Sequence, residues 1–261
     1  MGDHDTWFDY LPGFANLKEF AGHYLKRDWQ WQMFGETHFT LGHVFSLLVA
    51  LAFVLYIVTR WRARTKAALA SGELSGLVPP ERFGLHNLVE MFTEAVFNTM
   101  VGVMGEKSAK KYLPLIGTLA FFIFFSNALA LIPGFLPPTD TLKTNLGLSL
   151  VVFFMTHFYG VKENGPGYFK HFLGPYMPLA PLMLPIELVS HLARPVSLAL
   201  RLMGNMAADH KVVLVFFGLV PLLVPVPFLL LGTIVVIVQT LVFCLLSMVY
   251  ISMAVAHEEH H

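Results

Sequence analysis

Arg201 stands inside an apolar run, Pro195-Val-Ser-Leu-Ala-Leu-Arg201-Leu-Met-Gly204-Asn205. An arginine at bilayer depth costs at least ~2.5–3.5 kcal/mol on insertion scales. With a pKa above ~12 it keeps its charge there. Such a residue is expected to act on something that crosses the membrane. At about 100° per residue, Glu187, Ser190, Arg194, Ser197, Arg201 and Asn205 fall within an arc of about 80°, a polar stripe along one helix. Ala193, Ser197, Gly204 and Ala208 lie beside it, and small residues let a second helix approach closely. Serines also hydrogen-bond neighbouring helices as structural links, and an arginine such as Arg194 can snorkel to an interface. Ionisable residues in spans more often face a cavity or pathway.

Asp209, His210 and Lys211 follow on the outer part of the same helix. Nine residues separate His210 from Arg201, so the two point nearly opposite ways. A histidine titrates close to working pH and suits proton relay; for Asp209 and Lys211 an interfacial charge cluster is the competing reading. Gln239 is the strongly polar side chain in the middle of the last apolar segment. A buried glutamine bonds to a partner helix, and the natural partner is the helix that carries Arg201. Asn127 and Asn145 read equally well as helix-packing contacts or as part of a path.

Other chemistries find no motif. There is no His-Glu-x-x-His and no phosphate-binding glycine loop, nor a Gly-x-Ser-x-Gly elbow. No metal, cofactor or ATP chemistry is therefore expected of this chain. Cys244, the single cysteine, lies between Phe243 and Leu245 and reads as inert packing. The His257-Glu-Glu-His-His261 ending reads as a solvated tail.

The elements that must position these residues are membrane helices. The chain is 56% hydrophobic and only 13% charged, with mean hydropathy +0.63; a soluble domain carries about 25% charged residues. Lys+Arg and Asp+Glu are both 17, and no basic run points to nucleic acid. A span needs roughly 20 apolar residues. The pattern predicts spans over 39–59, 112–136, 144–161, 185–219 and 228–256, with no acidic or basic side chain in the first other than His43. Residues 82–107 have helical spacing, but Glu90 and Glu94 on the polar face argue against spanning; an interfacial helix is expected. Arg60, Arg62, Arg64 and Lys66, and then Lys107, Lys110, Lys111 and Lys162, mark the inner face by the positive-inside rule. The N-terminus is then outside and the C-terminus inside. Residues 1–37 form an external segment without the apolar core of a signal peptide, and 38–261 the membrane domain. A helix over 185–219 would be roughly 50 Å long, against a hydrocarbon core of ~30 Å, so it must tilt or bend. The fold class is an all-α polytopic membrane protein of five spans, an interfacial helix and a steeply tilted C-terminal hairpin.

The run Glu187-Leu-Val-Ser190-His-Leu-Ala-Arg194-Pro195-Val-Ser197-Leu-Ala-Leu-Arg201-Leu-Met-Gly204-Asn205-Met resembles the signature of subunit a of F-type ATP synthases. Gln239-Thr-Leu-Val-Phe, Tyr250-Ile-Ser-Met253 and Gly105-Glu-Lys through Phe125-Ser-Asn127 to Ile132-Pro-Gly134 resemble other parts of that subunit. The resemblance runs from His38 onward. It implies a non-catalytic stator subunit in a bacterial inner membrane, lying against a ring of c subunits and held by b-type peripheral stalk subunits. It implies that Arg201 is the essential arginine, with Gln239 its companion. Glu187, Ser190 and Ser197 then belong to an inner proton half-channel, and Asn205, His210 and Asp209 to an outer one, with Asn127 nearby. Two departures stand out: Gly232 and Ala130 occupy positions where some members carry titratable residues, and Gly232 is expected to leave room for water opposite His210. A self-contained cation channel or antiporter is the alternative of another class, and a membrane hydrolase a third that lacks a nucleophile–base pair.

Overall fold

The computed structural model describes residues 6–24, 41–71, 84–132, 134–165, 167–168, 180–219 and 225–255. The six α-helices among them are α1 (Phe14–Tyr24), α2 (Leu41–Ser71), α3 (Leu85–Ala128), α4 (Leu142–Asn164), α5 (Ala180–Leu219) and α6 (Pro225–Val255). Short 3-10 turns lie at Trp7–Tyr10, Leu129–Leu131 and Pro138–Asp140. The inner loop around Lys170, the Pro221 break and the histidine tail lie outside the described residues.

Four runs are long and apolar enough to cross a membrane: Leu41–Ala63, Asn87–Leu131, Leu142–Asn164 and Pro227–Val255. Only 28–39% of their most apolar windows is buried by the chain itself. Outward-facing Leu55, Phe154, Phe158, Leu230 and Ile234 are all more than half exposed. A surface this apolar requires lipid or another apolar partner around it. α5 is the longest helix after α3, and the span expected over 185–219 is not among these four runs. The protein is an all-helical, multi-pass membrane protein.

Within the stretch expected as an interfacial helix, the residues from Leu85 to Gly105 form the first arm of α3. At Gly105 the backbone takes φ 76, ψ 162 inside the helical run, a region open to glycine and strained for other residues. The chain folds back there. Phe92 of the first arm packs on Phe121 and Phe124 of the second, with ring centroids 4.7 and 5.1 Å apart. The first arm thus lies along the second as a hairpin. Met100, Ala109, Tyr112, Ile116 and Ala120 of this hairpin form a core with Cys244, Met248 and Ile251 of α6. A second core joins Leu119 and Ile123 to Val152 of α4, Leu198, Leu202 and Met206 of α5, and Phe243 of α6. Cys244 is buried in the first core, as its neighbours led one to expect.

α5 runs unbroken through Pro185 and Pro195. Its buried positions, His191, Pro195, Leu198, Ala199, Leu202, Met203, Met206, His210 and Val213, recur every three or four residues. That is one face of a 3.6-residue helix, and it packs on α4 and α6. α6 starts at Pro225, so Pro227 falls in its first turn, where a missing N–H costs nothing. At one end of the helices Lys111 pairs with Glu163, and Asn164 Nδ2 donates to the Ala254 carbonyl at 3.0 Å. At the other end Phe8 and Phe14 pack on Phe45 of α2, and Phe8 also meets Phe135 edge-on at 5.5 Å.

Candidate functional site

The face of α5 opposite its packed side carries the polar stripe. Ser190, Ser197, Arg201, Gly204, Asn205 and Ala208 are exposed, Ala193 with them, and Glu187 and Arg194 are half-buried. Among the described residues, none makes an ion pair or hydrogen bond to Arg201. Gln239 of α6 is half-buried, and no hydrogen bond joins it to Arg201, which is exposed. Arg194 is engaged instead, with its guanidinium carbon 5.3 Å from the Tyr250 ring centre.

The N-terminal half of α5 holds a polar group that the polar stripe did not include. His191 Nδ1 lies 3.2 Å from Glu187 Oε1 and 2.9 Å from the Glu187 carbonyl, the geometry of residues one helical turn apart. The His157 ring of α4 sits 5.6 Å from that of His191. His157, His191, Arg194, Ser149, Thr156 and Tyr250 border a cavity of about 20 Å³, enough for a water molecule. Glu187 is thus drawn toward His191 while Ser190 and Ser197 remain on the exposed stripe.

The part of α5 around Asp209 and His210 is built differently from expectation. Gly232 does not face His210. A Cβ added there would lie 2.8 Å from Asp209 Oδ2 and 3.1 Å from Leu131 Cδ2, so the Asp209 carboxyl fills the space expected to hold water. His210 turns the other way and is buried. Its Nδ1 lies 3.5 Å from Asp140 Oδ2, and His43 Nε2 lies 3.0 Å from Asp140 Oδ1. Asp140 is 0% exposed. Burial alone would raise its carboxyl pKa, but hydrogen bonds and charge from His210 and His43 outweigh that and hold it below the ordinary value.

Asn127 and Asn145 anchor the turn that carries Asp140. Thr139 Oγ1 donates to Asn127 Oδ1 at 2.6 Å, and Asn145 Nδ2 donates to the Thr139 carbonyl at 2.7 Å. All three are fully buried. Asp140 reads as an ordinary loop carboxylate in Pro137-Pro-Thr-Asp140; no local spacing signals that the loop is pulled inward. His43 left a signal, since no other acidic or basic side chain lies in its span. Among the described residues, no group of His, Cys, Asp and Glu is placed to hold a metal ion.

Comparison with known proteins agrees with this architecture. The family model for the ATP synthase A chain matches residues 43–252. ATP synthase subunit a 1 of Syntrophotalea carbinolica is 49% identical over 227 residues, covering 86% of this chain and 94% of that protein. ATP synthase subunit a of Sorangium cellulosum is 46% identical, covering 83% and 82%. Its counterpart in Bdellovibrio bacteriovorus is 42% identical, covering 84% and 95%. With relatives this similar along nearly their whole length, the chain belongs to the ATP synthase A chain family.

Proposed function

We propose that this chain is the proton-translocating stator subunit of an F-type ATP synthase, working against a ring of c subunits whose buried carboxylates pass the Arg201 face of α5. The observation that carries this reading is Arg201 itself. It is a permanent charge, exposed on a face with Gly204 and Ala208, in a chain whose described residues offer it no carboxylate. The counter-charge then comes from another subunit. At about 4 Å and an effective dielectric near 20, the attraction is ~4 kcal/mol. At ~1.36 kcal/mol per unit, that lowers a ring carboxylate's pKa by roughly three.

The cycle follows. A protonated ring carboxylate reaches Arg201 and loses its proton toward the inner side, past the half-channel of Glu187, Ser190 and Ser197, with His191 beside it. It takes another from the outer half-channel of Asn205, Asp209 and His210, whose neighbourhood Asn127 helps to shape. It turns into lipid only when neutral, because a bare charge there is costly. Arg201 also blocks direct passage between the half-channels, and Gln239 lies on the helix paired with it. The membrane potential contributes ~2.3 kcal/mol per charge per 100 mV. The chain holds the path, and the ring turns it into torque. Peripheral stalk subunits of the b type hold the stator still. The basic clusters support a bacterial inner-membrane topology with the N-terminus outside and the C-terminus cytoplasmic.

The deciding test is Arg201→Ala in the assembled complex. ATP-driven proton pumping in membrane vesicles is expected to be lost while the ring and catalytic subunits still co-purify. Near-normal pumping by an assembled variant would sink the proposal.

A further inference from the structure

Three buried groups from three elements meet at the outer end: His43 in the first turn of α2, Asp140 in the turn before α4, and His210 of α5. The imidazoles contact different oxygens of one carboxylate, at 3.0 and 3.5 Å. The elements packed around Asp140 bring it little other charge. From α3 and α4 the side chains here are the neutral Asn127 and Asn145, which hold the turn; Lys143 is exposed, and Asp209 is directed at Gly232. A carboxylate with no exposed surface is stable only when its charge is matched. Among the described residues, the groups placed against the carboxylate to match its charge are His43 and His210.

We infer that His43, Asp140 and His210 form one proton-holding site, in which His43 extends the outer path onto α2 and Asp140 keeps one excess proton shared between the two histidines. The inference rests on the stator reading above. A proton from the outer bath forms an N–H bond on His43. As it moves on, an N–H bond of His43 breaks while an O–H bond of Asp140 forms. That O–H bond then breaks while an N–H bond forms on His210. Each proton reaching His43 is thus matched by one released inward from His210, and Asp140 ends as a carboxylate. His43 and Asp140 are path residues on this reading, and Asn127, Thr139 and Asn145 are positioning residues for them.

The test uses the complete ATP synthase in proteoliposomes, with ATP synthesis followed against the pH of the bath at the outer face. Asp140→Asn is expected to slow synthesis by about tenfold or more and to change its dependence on outer pH, because the group that links the two imidazoles is gone. His43→Gln keeps an N–H toward Asp140 and is expected to slow synthesis comparably in a complex that assembles normally. Unchanged rate and profile in both variants, beside an inactive Arg201→Ala control, would overturn this inference and leave the stator reading standing. An active Arg201→Ala control would overturn both. If Asp140→Asn does not assemble, His43→Gln decides alone: a slowed rate in the assembled complex supports the site, and an unchanged rate overturns it.

Discussion

Arg201 and His210 sit on opposite faces of one helix, Arg201 exposed and His210 buried against Asp140. Nine residues at about 100° each make two and a half turns, so the opposition follows from the helix itself. In the proposed path, a proton held at His210 must therefore pass round α5 to reach a carboxylate docked at Arg201. Asp209, next in the chain to His210 and seated against Gly232 of α6, lies on that way round. The buried face collects protons and the exposed face delivers them.

Arg201→Lys separates charge from geometry. Lysine can deprotonate when desolvated and lacks the planar fork of guanidinium. The variant is expected to assemble but to lose at least about 100-fold of pumping rate, the scale seen when one preorganised electrostatic donor is removed. Pumping within a few-fold of normal would show that a point charge suffices.

The exposed edge of α5 makes a geometric prediction. Cysteines at Gly204 and Ala208, both exposed, are expected to form disulfides with cysteines placed beside the ring carboxylate. A cysteine at Met206, with no exposed surface and packed toward α3, α4 and α6, is expected to form none. Cross-linking at Met206 but not at Gly204 would place the ring on the wrong face.

Legibility differed sharply between the two ends of the path. The Arg201 stripe was readable because a helix converts spacing directly into direction, and an uncompensated charge in an apolar run is conspicuous. The arm ending at Gly105 was readable as an amphipathic helix, but its fold back onto Phe121 and Phe124 depends on one positive φ. Asp140 was not legible at all. Its burial results from Asn127 and Asn145, on two other helices, drawing a short turn inward, and its partners come from residues about 70 to 100 positions away in the chain. Gly232 was read correctly as making room, and incorrectly as making it for water; the Asp209 carboxyl is what occupies it.

That contact yields a coupled-mutation prediction. At Gly232 an added methyl meets the end of Asp209, which can turn aside, and Leu131 at 3.1 Å, which has less freedom. Gly232→Ala is expected to cost about 1–3 kcal/mol in thermal stability of the solubilised complex, the usual range for overpacking. Asp209→Ala should recover part of it, giving a coupling energy of roughly 0.5 kcal/mol or more in a double-mutant cycle. Strict additivity would mean that the two residues do not touch in the assembled enzyme.

Asp140 sets a pH limit on the outer end of the fold. Its carboxyl pKa is held below the ordinary 3.8 in the folded chain. A depressed carboxyl contributes stability that is present above its unfolded value and is lost as pH falls through the folded one. Between about pH 5 and 8 Asp140 therefore stays charged. Below about pH 4 the turn at Pro138–Asp140 is expected to loosen, because the neutral carboxyl loses its ion pairs with His43 and His210. Asp140→Asn should weaken the same turn at neutral pH, by about 1–3 kcal/mol for a buried partner lost, and should remove the acid limb. Amide hydrogen exchange of residues 138–145 in the intact complex, followed from pH 7 to pH 3, reads this directly. Protection that falls equally with acid in the parent and in Asp140→Asn would show that the carboxylate does not hold this turn.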